Sequence, residues 1–442
     1  MLSALYWDAS PTDGLQAGNG TWSASDECWN TASNGLGTRV AWTDGSDAVF
    51  SISGPSTITV SGAVSVNSVT FSGSGYTVSG EALTLNGVGS VVASAPATIA
   101  SDVTGTAGLT KTGYGLLTLT GDNTYSGGTT LTAGALSISR DANIGGASSA
   151  ITFSGGTLQV TGAELHDLNS HSVNWSNVNG GLDIADEGNT FTLSQSMGVG
   201  GTLSKGGSGI LVLGGSESIH YATGVQVNGG TLRIDGGTVM GSVNNWSGAQ
   251  MAMYGGFLNG AVWNSGAITI NGGTVRGVVN NQMMSTFQID SGILNGNVTG
   301  YSTTVKINGG TVSGNVTGYQ WTVKINGGIV ISGEVGGYSA TVIINGGDIS
   351  DNTLISGGTE IFGGDEDMVY SGTINNGTVV KQGAGKLTLT GSHNYSGGNA
   401  GEWRHAGGEW FAGRCERCDG CFRGHVNRYR HGHGAGDAGF GR

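Results

Sequence analysis

A small-residue turn recurs through the middle of this chain at a nearly constant interval, and no other feature narrows the possible folds as far. It stands at Ile234-Asp235-Gly236-Gly237, Tyr254-Gly255-Gly256, Ile270-Asn271-Gly272-Gly273, Ile289-Asp290-Ser291-Gly292, Ile307-Asn308-Gly309-Gly310, Ile325-Asn326-Gly327-Gly328, Ile344-Asn345-Gly346-Gly347 and Phe362-Gly363-Gly364. Counted from the residue before each small pair, the steps are 19, 17, 19, 18, 18, 19 and 17 residues. A unit that short buries no core alone and must stack on its neighbours. Between turns the text alternates with period two, as in Thr304-Val305-Lys306-Ile307 and Thr341-Val342-Ile343-Ile344, so each short strand turns one face inward. There is no helical stretch to cross over with. Stacking coil on coil then satisfies the backbone and predicts an all-β chain, a parallel β-solenoid over residues 5–398. About twenty coils at roughly 4.8 Å each give a rod on the order of 100 Å long. Asn-Gly and Asp-Gly are expected to supply the positive φ angles of the corners.

Composition excludes the alternatives. Of 442 residues, 87 are glycine and only 3 proline, without the every-third-residue spacing of collagen. The glycines are interleaved with Val, Ile, Leu and Thr, which form strands and argue against disorder. A net charge of -13 argues against nucleic acid or an anionic membrane as partner, because phosphate is bound by clustered Lys and Arg. No stretch reaches the roughly 18 apolar residues of a membrane helix. Met1-Leu2-Ser3-Ala4-Leu5-Tyr6-Trp7-Asp8 has neither the basic nor the apolar region of an export signal. Its small residues are of the kind that follow an apolar segment, so the true start codon is expected upstream.

A second pattern, Lys-x-Gly-x-Gly-x-Leu-x-Leu-x-Gly, occurs three times, starting at Lys111, Lys205 and Lys381. The first copy runs on through Tyr125-Ser126-Gly127-Gly128 to Leu131, Gly134, Leu136 and Ile138, and the third stops after Tyr395-Ser396-Gly397-Gly398. These residues resemble the passenger-associated transport repeat of bacterial autotransporters, most closely over 109–138. The opening, with Tyr6-Trp7-Asp8, Trp22, Trp29, Trp42 and Val49-Phe50, is similar to the start of such passengers. The resemblance implies a right-handed parallel β-helix, exported through a C-terminal barrel and displayed at the cell surface. No run of barrel-like amphipathic strands follows residue 398. The expected organisation is an N-terminal cap with the first coils (1–95), a β-helix passenger (96–398) and an irregular tail (399–442).

Few side chains form a constellation that could carry chemistry. Asp365-Glu366-Asp367 is the tight acidic cluster; it matches no calcium loop and reads as a solvated connection between coils. His166, His171, His220 and His393 are scattered singly, and Cys28 stands alone. Neither a catalytic nor a cofactor or metal site is expected. Tyr301, Tyr319 and Tyr338 recur at the coil interval and should stack in one column, either as a stabilising ladder or as a sugar- or peptide-binding stripe.

Cys415, Cys418, Cys421 and His425 have metal-like spacing, but the composition changes abruptly where they lie. The last 44 residues hold 7 arginines and 4 histidines, with no Ser, Thr, Leu or Ile. Reading that stretch one base later permits Thr-Leu-Val-Asn-Gly-Gly-Thr-Leu-Val-Val-Asn-Gly in place of 399–410, the same form as Val227-Asn228-Gly229-Gly230-Thr231-Leu232-Arg233-Ile234-Asp235-Gly236. The tail is therefore expected to be frame-shifted, with the barrel downstream in the other frame. The function expected is a surface-exposed, non-enzymatic adhesion scaffold whose partner is a host or neighbouring cell surface, glycan or protein. The alternatives are a polysaccharide-acting β-helix enzyme and a non-functional gene remnant.

Overall fold

The computed structural model describes residues 3–401 apart from 148, 176–177, 198–199, 216–218, 221–223, 332, 350–351 and 395–399. The cysteine-rich tail, with Cys415, Cys418, Cys421 and His425, lies outside the described residues, as does the Tyr395-Ser396-Gly397-Gly398 end of the third transport repeat. Within them the chain winds as a parallel β-solenoid. The longest ladder starts at Gly20–Trp22, passes through Ser56–Val60 and Tyr76–Gly80, and continues coil by coil to Thr373–Asn375 and His393–Asn394. Its nineteen strands are joined by parallel pairings throughout, and eighteen steps of roughly 4.8 Å make a stack about 85 Å long. An 11-stranded sheet accompanies it over the first part of the chain and a 17-stranded sheet over the second. The described residues contain one helical turn, a short 3-10 segment at Asp141–Ile144.

In the regular region a coil has three sides. Val298–Tyr301, Thr304–Ile307 and Thr311–Ser313 stack in register on Val316–Tyr319, Thr322–Ile325 and Ile329–Ile331 of the next coil. The two-residue alternation works as its pattern implies: Val305 and Ile307 point inward while Thr304 and Lys306 point out. Ile289, Ile307, Ile325, Ile344 and Phe362 then form one unbroken buried column. Burial of each such side chain contributes about 1.5–3 kcal/mol, shared only with adjacent coils.

Asn376 and Gly377 take the positive φ expected of an Asn-Gly pair, at 63° and 86°, but the Asn-Gly-Gly corners depart from expectation. In Asn308-Gly309-Gly310 and Asn326-Gly327-Gly328 the left-handed residue is the second glycine, at φ 70° and 76°, and neither the asparagine nor the first glycine has positive φ. A Cβ on Gly328 would meet Gly309 backbone atoms at 2.7 Å, so the position needs glycine for space as well as for φ. The asparagines serve another purpose. Asn308 Nδ2 donates to Asp290 Oδ1 at 2.7 Å, Asn326 Nδ2 to Asn308 Oδ1 at 2.7 Å and Asn345 Nδ2 to Asn326 Oδ1 at 2.8 Å, a ladder of side-chain amides along the outside of the rod. At the corner that precedes Thr304–Ile307 and its stacked equivalents, Ser302, Gln320 and Ser339 adopt φ of 49°, 51° and 52°, which the sequence pattern does not disclose.

The N-terminal residues close one end. Ala4–Trp7 pairs in parallel with Asp47–Phe50 and antiparallel with Trp29–Asn30, which in turn pairs antiparallel with Arg39–Val40. This covers an edge that would otherwise template another chain. Beneath it Trp7, Trp22, Trp29 and Trp42 pack together, with ring centroids 4.8–5.3 Å apart. Phe50 and Phe71, stacked at 5.0 Å, carry the aromatic core into the first coils.

Candidate functional site

The three coil-spaced tyrosines stand where the period placed them, at the ends of Val298–Tyr301, Val316–Tyr319 and Glu334–Tyr338, and they pair directly in the ladder. Tyr301 and Tyr319 stack at 5.3 Å with planes 4° apart, and Tyr319 and Tyr338 at 5.1 Å and 8°. They remain 45%, 40% and 65% exposed, so this ladder is also a surface. Each tyrosine is followed by one of the left-handed residues, which swings the chain round the corner. Behind the column Trp321 is buried and donates its Nε1 to the Gly336 carbonyl at 3.0 Å. A Cβ at Gly318 would fall 2.6 Å from the Trp321 ring, so the residue before Tyr319 is held to glycine by close approach.

The lysine of each transport repeat has a role that the sequence reading did not assign. Lys111 and Lys205 are wholly buried and Lys381 nearly so. Lys111 Nζ donates to the carbonyls of Thr112 at 2.8 Å, Gly113 at 2.8 Å and Ala133 at 3.1 Å. Lys205 Nζ donates to Gly206 at 2.5 Å, Gly207 at 3.1 Å and Gly229 at 3.1 Å. Lys381 Nζ takes the carbonyls of Gln382, Gly383 and Gly364. Three donors thus satisfy three corner carbonyls, one of them always on an adjacent coil. Burial pushes Lys111 and Lys205 down to about 8 and lowers Lys381. The repeated Lys-x-Gly was the available signal, since the x-Gly carbonyls are the two local acceptors.

The remaining candidates do not converge. Asp365 Oδ1 accepts the Ala384 N–H at 2.9 Å and Asp367 Oδ1 the Lys386 N–H at 2.7 Å, so two of the three acids cap backbone donors of the next coil. His171 is buried, with Nε2 3.2 Å from Asp141 Oδ1. His166 lies 3.3 Å through Nδ1 from the Thr190 carbonyl. His393 stacks on Tyr370 at 6.1 Å, and burial lowers its pKa. His220 lies on the short strand Ile219–His220, in the 17-stranded sheet. Burial pushes the Cys28 thiol up, away from the reactive thiolate. Among the described residues no three of His, Cys, Asp and Glu gather as a metal site.

Comparison with known proteins supplies the rest. The passenger-associated-transport-repeat family model matches residues 109–138, 203–234 and 379–400. Over 224 residues, 46% of this chain, the sequence is 30% identical to the adhesin BmaC autotransporter of Brucella suis biovar 1 (strain 1330). That match spans 6% of the length of the Brucella protein. The crystal structure of the Haemophilus influenzae Hap adhesin aligns over 82% of this chain and 59% of its own, at 13% identity and a TM-score of 0.33.

Proposed function

This chain is an autotransporter passenger sequence with transport repeats, and we propose that it works at the cell surface as a non-catalytic adhesion rod. The observation that carries the reading is the column Tyr301, Tyr319 and Tyr338, held flat and half exposed along one corner. Large aromatics left in water mark interaction surfaces. A rigid column loses little side-chain entropy when a ligand covers it. Equivalent sites one coil apart also favour partners that engage several at once, such as a glycan or protein on a host or neighbouring cell. Within the acidic cluster, Asp365 and Asp367 are occupied in capping backbone N–H groups.

Beads coated with the purified chain test this. They are expected to adhere to cultured epithelial cells or to one another, and to lose most adherence when Tyr301, Tyr319 and Tyr338 are all changed to Ala in a chain whose circular dichroism is unaltered. A folded chain that does not adhere, or a triple variant that adheres equally, would sink the proposal. Turnover of a polysaccharide by the chain would replace it with an enzymatic one.

A further inference from the structure

A second aromatic feature lies on the same corner of the rod, nearer the N-terminus. In the long ladder Asn244 pairs with Trp263, and Trp263 with Asn280. Trp246 stands just past the strand Ser242–Asn245, and Ser265 and Gln282 hold the same place on the next two coils. Asn244, Trp246, Trp263, Ser265 and Gln282 line an open groove whose floor is Asn245. The two indoles are 51% and 49% exposed. Trp246 Nε1 donates to Gln226 Oε1 at 3.0 Å, which fixes the plane of its ring.

The floor is held through the amide nitrogens of its asparagines, while Asn245 Oδ1 is buried without a partner. Asn245 Nδ2 donates to Asn264 Oδ1 at 2.9 Å and Asn264 Nδ2 to Asn281 Oδ1 at 2.9 Å, a buried counterpart of the external ladder. The side-chain amides of Asn244 and Gln282, in contrast, have no protein partner among the described residues. No Asp, Glu, Lys or Arg lines the groove.

We infer that this groove binds a neutral oligosaccharide, with Trp246 and Trp263 stacking on sugar rings and Asn244, Ser265 and Gln282 hydrogen-bonding the hydroxyls. A pyranose ring is apolar on its C–H faces and polar at its rim, which matches indole walls joined by amides that both donate and accept. A charged glycan would meet no counter-charge here. An added peptide strand would need an unpaired sheet edge, and these strands are paired on both sides. Asn281 pairs with Gly300, so the corner runs on from Gln282 to Tyr301 and a chain laid along the rod leads toward the tyrosines.

The site stands independently of cell adhesion. Isothermal titration of the full chain with maltohexaose, cellohexaose and xylohexaose, and with a heparin-derived hexasaccharide as the charged control, tests it. At least one neutral hexasaccharide is expected to bind saturably, at least tenfold more weakly to Trp263→Ala and to Trp246→Ala, with Trp263→Phe retaining most of the affinity. Gln282→Ala, at an exposed polar position, is expected to weaken binding if the tryptophan variants fold poorly. Failure of the folded chain to bind any neutral hexasaccharide, binding confined to the charged control, or affinity unchanged in all three Ala variants overturns the inference. Loss of adherence in the tyrosine variant with sugar binding intact would separate this groove from the adhesive column.

Discussion

Asn326 donates its Nδ2 to Asn308 Oδ1 over 2.7 Å and accepts in turn from Asn345 Nδ2 at 2.8 Å. One side chain therefore ties three coils together from the outside. Asn326→Ala removes two bonds, and a loss of about 1 kcal/mol is expected, small because water replaces part of what is lost. Asn326→Asp should cost at least as much, since it leaves Asn308 Oδ1 without a donor and faces it with a charge. Urea unfolding of the two variants checks this, and a more stable Asp variant would contradict the ladder.

The buried lysines give stability a pH dependence of definite sign. Burial holds Lys111 and Lys205 at about 8 in the folded chain, against 10.5 when exposed. Between those values the unfolded chain binds more protons, so stability rises with pH. Below pH 8 the burial penalty is present in full. From pH 7.5 to 9.5 a gain on the order of 1 kcal/mol per lysine is expected. The double variant Lys111→Met, Lys205→Met should remove most of it, leaving the rise due to Lys381 and the opposing fall due to Cys28, whose thiol burial pushes up. Stopping at pH 9.5 avoids Tyr76, Tyr125 and Tyr370, whose pKa values burial raises and whose slope has the opposite sign. Denaturant titrations at the two pH values suffice, and stability falling over this interval would refute the assignment.

The N-terminal aromatic cluster should behave as a plug. Trp29 touches Trp7, Trp22, Trp42 and Phe50 and is completely buried. Trp29→Ala is expected to cost about 3–5 kcal/mol at that end. Because coils interact only with neighbours, limited proteolysis should nick the first coils while the tyrosine region stays protected. Uniform protease sensitivity along the chain would show that the coils melt as one.

Tyr319→Ala should loosen its own coil by about 1 kcal/mol, the worth of a ring stacked on two others, and Tyr319→Phe should be nearly neutral. Hydrogen exchange at Val316–Tyr319 and in the strands stacked on either side reads the difference. An Ala variant with unchanged exchange would mean that the rings stack without stabilising the rod.

How much of this was legible varies from residue to residue. The period of 17 to 19 and the Val305/Ile307 alternation disclosed the coil, its strands and the tyrosine column, because spacing along the chain becomes position round the rod. The Asn-Gly-Gly corners were recognised, but their φ was placed too early by one or two residues. A dipeptide propensity cannot see that Asn308 is already engaged in a lateral bond. Ser302, Gln320 and Ser339 carry no left-handed signature, since their φ is imposed by the tertiary corner. Trp246 and Trp263 escaped notice because the register at this coil is 19 residues while they are 17 apart, so they fall in columns two positions apart and repeat in neither.

The stacking of coils also has a mechanical meaning. The strands lie across the rod and their hydrogen bonds run along it, so tension along the axis opens the ladder one coil at a time instead of shearing many bonds together. Each coil of 18 residues, such as that from Val298 to Val316, would release about 60 Å of extended chain in exchange for roughly 4.8 Å of rod. A tether built this way yields in small steps under load. While it lengthened by many times its folded size, the tension on whatever holds either end would stay near the force that opens a single coil.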